Sequence, residues 1–241
     1  MKKAMQLYCV RDYCERDFEG TLARLAEMGF QGVEFEKFFD LKADQLRGWM
    51  DRYHLDPAGS HTSIEELTYR LDWVMDYNRT LGNTRIVCRS SEIQNGTEAR
   101  ALADLLRPVA LRLRENGMTL SYHNHSTEMR REDGRLLLDI LAERLPELEL
   151  QLDLHWVYSG GGDYHALLKQ YAGRMDTFHI RDGGKGPILP FGEGEMDLEG
   201  ILRRTREQGF AWMIVEVLAE PDGDWFTIPG LDRLFSLYNR I

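Results

Sequence analysis

The chain has 241 residues, 43% hydrophobic and 29% charged, with 22 Gly and 7 Pro, which serves one large domain or two small ones and excludes collagen-like, low-complexity and disordered chains. Forty acidic against 30 basic residues leave a net charge of −10, a field that repels a phosphate backbone, so nucleic acid is not an expected partner. Cys9, Cys14 and Cys88 are odd in number and form no CxxC pair, and no apolar run reaches a membrane span or a signal segment, so the expectation is a soluble, cytoplasmic protein without disulfides or a membrane partner.

Hydrophobic periodicity predicts short strands alternating with longer helices, the strand first in each pair. The predicted strands are 4–10, 32–36, 56–61, 84–89, 118–125, 148–155, 176–180 and 212–217. The predicted helices are 17–29, 43–54, 65–82, 98–117, 136–145, 164–172, 198–209 and 228–240. In the first, Phe18, Leu22, Leu25 and Met28 share a face and Gly29 is a suitable stop. Pro108 predicts a kink or break in the helix 98–117. The helix-to-strand joint recurs as Gly29-Phe30, Gly117-Met118 and Gly209-Phe210. Eight units of about thirty residues match the spacing of an α/β (β/α)₈ TIM barrel, a single domain over 1–241 with no linker-like tract. An open doubly wound sheet is the runner-up, but CVRDYCERD stands where a GxGxxG fingerprint would follow the first strand.

In such a barrel the C-terminal strand ends form the active-site face. Here they carry Glu34 and Glu36, His61, Arg89, His123 and His125, Asp153 and His155, His179 and Arg181, and Glu216. Side-chain alternation assigns Leu148, Leu150, Leu152 and Leu154 to the helix side, leaving Glu149, Gln151, Asp153 and His155 facing inward. The same parity turns Ser121, His123 and His125, then His179 and Arg181, then Ile214 and Glu216 into the interior. Four adjacent strands thus aim a potential ligand at one mouth. Carboxylates gathered there are costly to desolvate unless a cation joins them. One imidazole of the fifth strand with Asp153, His179 and Glu216 is a mixed N/O set suited to one Mn²⁺, Mg²⁺, Co²⁺ or Zn²⁺ ion.

The segments QLYCVRD, MGFQGVEFE, YHNHSTEM, LDLHWVYSGGGD, FHIRDG, FGEGEMDLEGIL and IVEVLAEPDGD, in this order over essentially the whole chain, resemble the sugar phosphate isomerase/epimerase family of xylose isomerase-like TIM barrels, related to the apurinic endonucleases. The resemblance implies one divalent metal held by one of His123 or His125, then Asp153, His179 and Glu216. It also implies isomerisation or epimerisation of a sugar, sugar phosphate or keto-sugar by proton transfer alpha to a carbonyl, with Glu216, His123 or His125 carrying the proton. Loss of water from a keto-sugar and non-catalytic sugar binding are the alternatives. A small sugar is the expected partner, and a homodimer is what the resemblance suggests.

Two positions depart from the family pattern. The fifth strand has His123-Asn124-His125 where epimerases commonly carry a glutamate, and Trp156 replaces the histidine of an Asp-x-x-His on the sixth. The cation set therefore carries over better than a two-glutamate proton transfer, and Trp156 together with the net charge counts against an endonuclease. The histidine of the pair that does not bind metal would contact a substrate hydroxyl, act as acid or base, or pair with Glu128. Substrate contacts are expected of Glu34, His61, His155, Arg181 and Trp156, with Tyr8, Trp156 and Phe191 as an apolar wall. Asp197 is expected to cap the seventh predicted helix, and Lys185 to lie in a solvated loop.

Overall fold

A computed structural model describes residues 1–89 and 91–241. Eight strands, β1 (Lys2–Gln6), β2 (Gly32–Phe35), β3 (Asp56–Thr62), β4 (Arg85–Cys88), β5 (Thr119–His123), β6 (Glu149–Asp153), β7 (Thr177–Ile180) and β8 (Trp212–Val215), close into a barrel in chain order, β8 pairing with β1. Every pair is parallel. Around them run α1 (Arg11–Arg16), α2 (Phe18–Glu27), α3 (Ala43–Arg52), α4 (Ile64–Tyr69), α5 (Leu71–Leu81), α6 (Gly96–Glu115), α7 (Leu137–Arg144), α8 (Leu154–Ser159), α9 (Tyr164–Gln170), α10 (Leu198–Glu207) and α11 (Leu231–Arg240). The TIM-barrel expectation is met. Among the described residues no helix is long and apolar enough to cross a membrane.

The differences from the sequence reading have local causes. The first strand stops at Gln6, whose side chain accepts from the Tyr8 N–H and starts a 3₁₀ turn over 7–10 that leads into α1. The predicted helix 65–82 is two helices joined at Arg70, α4 being opened by a reciprocal Ser63–Glu66 capping box. The sixth strand stops at Asp153, because its Oδ1 accepts the Trp156 N–H at 2.8 Å and caps α8. α6 runs through Pro108 without a break, and Pro108 and Asp104, the two residues of the lost backbone bond, are both exposed. Asp197 does cap α10, accepting the Gly200 N–H at 2.9 Å.

The barrel interior is layered. At the N-terminal end Ala4, Ala58, Trp212 and Ile214 form an apolar floor. The Trp212 indole lies across Gly32, where a Cβ would come within 2.6 Å of the ring and 2.4 Å of the Asp56 carbonyl oxygen. Glycine is therefore required at Gly32 by close approach, and the small residues Ala4 and Ala58 make room for the same ring. Above this floor the interior turns polar, while the buried aliphatic side chains pack between strands and helices.

Gly32→Ala is expected to cost about 1–3 kcal/mol through overpacking, lowering the melting temperature by roughly 5 °C; an unchanged melt would contradict this packing. A second expectation concerns Glu149, the first residue of β6, whose carboxyl is raised by burial and then by Asp176. The fold favours its protonated form, so ionising it costs stability as pH rises above the ordinary carboxylate range. Glu149→Gln should melt higher than the parent at neutral pH and lose that advantage in acid; equal melting at every pH would contradict the assignment.

Candidate active site

The polar layer is centred on Glu34, which is fully buried. Its Oε1 accepts from Nε2 of Gln151 at 2.6 Å, and its Oε2 accepts from Nε2 of Gln6 at 2.7 Å and Nε2 of His179 at 2.6 Å. His61 Nε2 stands 3.1 Å from the same Oε2. A Cβ on Gly59 would come 2.8 Å from Glu34 Oε1, so the glycine next door keeps space for the carboxylate. Gln151 Oε1 in turn faces His61 Nε2 at 3.1 Å and His123 Nδ1 at 3.3 Å.

His179 lies between two carboxylates, Nε2 on Glu34 and Nδ1 2.5 Å from Glu216 Oε2. Burial opposes a charge on this ring, but Glu34 and Glu216 overcome it and push its pKa up to about 10. Burial likewise works against the ionised acids. His61 and His179 nevertheless hold Glu34 well below the usual carboxylate range, and Arg181 and His179 do the same for Glu216. His123 goes the other way: burial, then His179 and His61, drive it well below the ordinary histidine value, so it is a neutral imidazole at pH 7.

Arg181 binds the two mouth carboxylates at once, Nε on Asp153 Oδ2 at 2.7 Å and Nη2 on Glu216 Oε1 at 2.8 Å. Its guanidinium stands 5.3 Å over the Trp156 ring. Asn124 accepts the Asp153 N–H at 3.1 Å and fixes the end of β6. Ligand atoms of His123, Asp153, His179 and Glu216 all lie within 4.8 Å of one another, as do those of His61, His123 and His179. Above them opens a cavity of about 580 Å³ lined by Tyr8, His61, His123, His125, Trp156 and Glu216 among others.

Of the residues singled out in the sequence, His61, His123, His125, Trp156, Arg181 and Glu216 line this cavity, and Tyr8 joins them. Glu34 does not: it sits one layer below, and Glu36, two residues on, occupies the rim. His155 is not at the mouth either. Because the strand ends at Asp153, alternation no longer governs it; it lies buried on α8 with Nε2 3.1 Å from the Gly184 carbonyl oxygen. Phe191 is fully buried in the outer core and forms no wall. His125 is outside both ligand clusters, edge-on to His123 at 5.7 Å between ring centres, and it is its backbone N–H that donates to Glu128, at 2.9 Å.

Three contributors escaped the sequence reading. Gln6 and Gln151 are the uncharged partners of Glu34, and Gln151 was placed inward by parity without a role. Asp182, buried, accepts the backbone N–H groups of Gly183, Gly192, Gly194 and Met196 and so shapes the loop after β7. Its signal was the glycine-rich stretch that follows it. Lys185 in that loop is exposed, as expected.

The model of the xylose isomerase-like TIM barrel family matches residues 22–229. The chain belongs to that family. Among the relatives of this xylose isomerase-like barrel is the inosose dehydratase of Clostridium perfringens, 26% identical over 252 residues, covering 86% of this chain and 84% of that one. Among solved structures, a sugar phosphate isomerase/epimerase from Parabacteroides distasonis superposes with a TM-score of 0.82 at 17% identity, over 100% of this chain and 97% of that one. The IOLI protein, whose structure holds a zinc atom, superposes at 0.72 with 16% identity, over 100% and 96%. For this xylose isomerase-like barrel, Glu34→Gln is expected to cost about 3 kcal/mol by taking from buried His179 one of its two counter-charges, a drop in melting temperature of roughly 6–12 °C. An unchanged melt would show that Glu34 does not hold the layer together.

Proposed function

We propose that this protein is a divalent-metal-dependent enzyme that moves a proton next to the carbonyl of a small sugar, sugar phosphate or keto-sugar, as an isomerase or epimerase does. The observation that supports it most is the convergence of four ligand atoms, from His123, Asp153, His179 and Glu216, under one open cavity. These are the ligands in this reading; the set mixes imidazole nitrogen and carboxylate oxygen and contains no thiolate, which suits Mn²⁺, Mg²⁺, Co²⁺ or Zn²⁺. A cation held there would polarise the substrate carbonyl and stabilise the charge that develops on its oxygen.

The chain's own groups supply the rest. His123, neutral at pH 7, offers a lone pair without first losing a proton. With His123 on the metal, proton carriers stand on two walls of the mouth, His125 just past the end of β5 and Glu216 from the end of β8, so a carbon between them is approached from two sides. Arg181 faces a hydroxyl or anionic group, His61 a second hydroxyl, and Trp156 with Tyr8 covers apolar C–H surface. The buried free thiols Cys9, Cys14 and Cys88 fit a reducing, cytoplasmic setting.

A second reading, dehydration, is favoured by the relative named inosose dehydratase. It shares the first step, removal of the proton alpha to the carbonyl, and then loses the hydroxyl on the next carbon as water. One experiment covers both: chelator-stripped protein is reloaded with each metal in D₂O and incubated with keto-sugars and keto-inositols, and the products are read by NMR. Metal-dependent deuterium incorporation beside the carbonyl is expected, reduced by about 10²–10⁴-fold in Glu216→Gln; an epimer indicates the first reading and an enone the second. No exchange with any metal, or full activity in excess chelator, would overturn the proposal.

A further inference from the structure

The mouth cavity does not end at the mouth. A second cavity of about 1230 Å³ adjoins it, and Glu36, His61 and Arg89 line both. Its inner wall is aromatic. Phe38 stacks on Tyr77 with ring centres 4.0 Å apart, and Trp73 stands 5.2 Å from Tyr77 and is 38% exposed. The loop that carries Phe38 has two successive non-glycine residues in the left-handed region, Phe39 at φ 51° and Asp40 at φ 56°, a conformation that persists only where its surroundings impose it. Tyr77 imposes it here by donating its hydroxyl to the Leu41 carbonyl at 2.6 Å.

Two features specify the occupant. Where the cavities join, Glu36 Oε2 is buried and has no hydrogen-bond partner among the described residues, while Oε1 faces Arg89 at 3.4 Å. A buried acceptor in that condition calls for a donor such as a ligand hydroxyl. The charged side chains lining the cleft are of both signs in nearly equal number, Lys37 pairing with Glu15 at 2.9 Å and Arg70 lying 4.4 Å over the Trp73 ring, so it carries little net charge. Aromatic faces suit the C–H faces of a sugar ring and leave its hydroxyls to the rim.

We propose that the substrate is a two-ring glycoside whose second, uncharged sugar ring occupies this cleft, with Trp73 as its platform and Glu36 as acceptor for one of its hydroxyls. The proposal rests on the reading of the mouth as a sugar site. The probes are glucose and the disaccharides cellobiose, maltose and trehalose, titrated calorimetrically into metal-loaded full-length protein, with saturation-transfer NMR locating the bound ring. At least one disaccharide should bind about tenfold more tightly than glucose. Trp73→Ala, folded by its melting curve, should bring that ratio to about one, and Glu36→Gln should lower it.

Disaccharides binding no better than glucose, or a Trp73→Ala loss shared equally by both, would overturn the subsite. Metal-dependent exchange on single-ring ketones with no two-ring preference would overturn it while leaving the proton-transfer reading intact. A Trp73-dependent two-ring preference without exchange on any ketone would support the subsite and overturn that reading. Failure of every one of these sugars to bind would overturn the subsite.

Discussion

Charge buried without a counter-charge is what the upper half of this barrel is built to avoid. Glu34, Asp153 and Glu216 are carboxylates taken out of water, and His179 and Arg181 are the cations that answer them. Each cation touches two groups, so the layer acts as a connected unit in which moving one side chain unpairs another. With His179 protonated, three negative charges face two positive ones. A divalent ion that took the place of the His179 proton would bring three carboxylates, one guanidinium and the ion to neutrality, a physical reason for the proposed site to favour a doubly charged ligand.

The floor and the mouth divide the labour. Trp212 over Gly32 closes the barrel with apolar contact and needs nothing from solvent. Directly above, Gln6 and Gln151 satisfy the lone pairs of Glu34 that the histidines leave, so the transition from oil to charge takes place within one layer of side chains. The loops then set the reach of the site. Asp182 gathers the loop after β7 by four backbone N–H groups, while the loop after β2 is held against α5 and opens a cleft beside the mouth.

Much of this was legible in the sequence because strands obey a strict alternation. The period-two pattern turned His123, Asp153, His179 and Glu216 inward on successive strands, and the structure brings their ligand atoms together. Alternation says nothing about depth, however, so Glu34 and Glu36 looked equivalent although one is sealed below the mouth and the other stands at its rim. It also fails where a strand ends. Asp153 caps a helix that the pattern did not reveal, and this carries His155 away to the β7 loop. Pro108 does not end its helix for a related reason: the cost of a proline depends on whether its surroundings satisfy the orphaned carbonyl, which sequence alone does not state. The aromatic cleft was invisible, since Phe38 of the loop after β2 meets Trp73 and Tyr77 of α5 only once the barrel has closed.

The most direct measurement is anomalous diffraction at the manganese edge from crystals grown with Mn²⁺. The account expects one peak at the mouth, bonded to His123, Asp153, His179 and Glu216, with Arg181 released from at least one of its two carboxylates. No peak at the mouth, or an ion held elsewhere while Arg181 keeps both contacts, would contradict it.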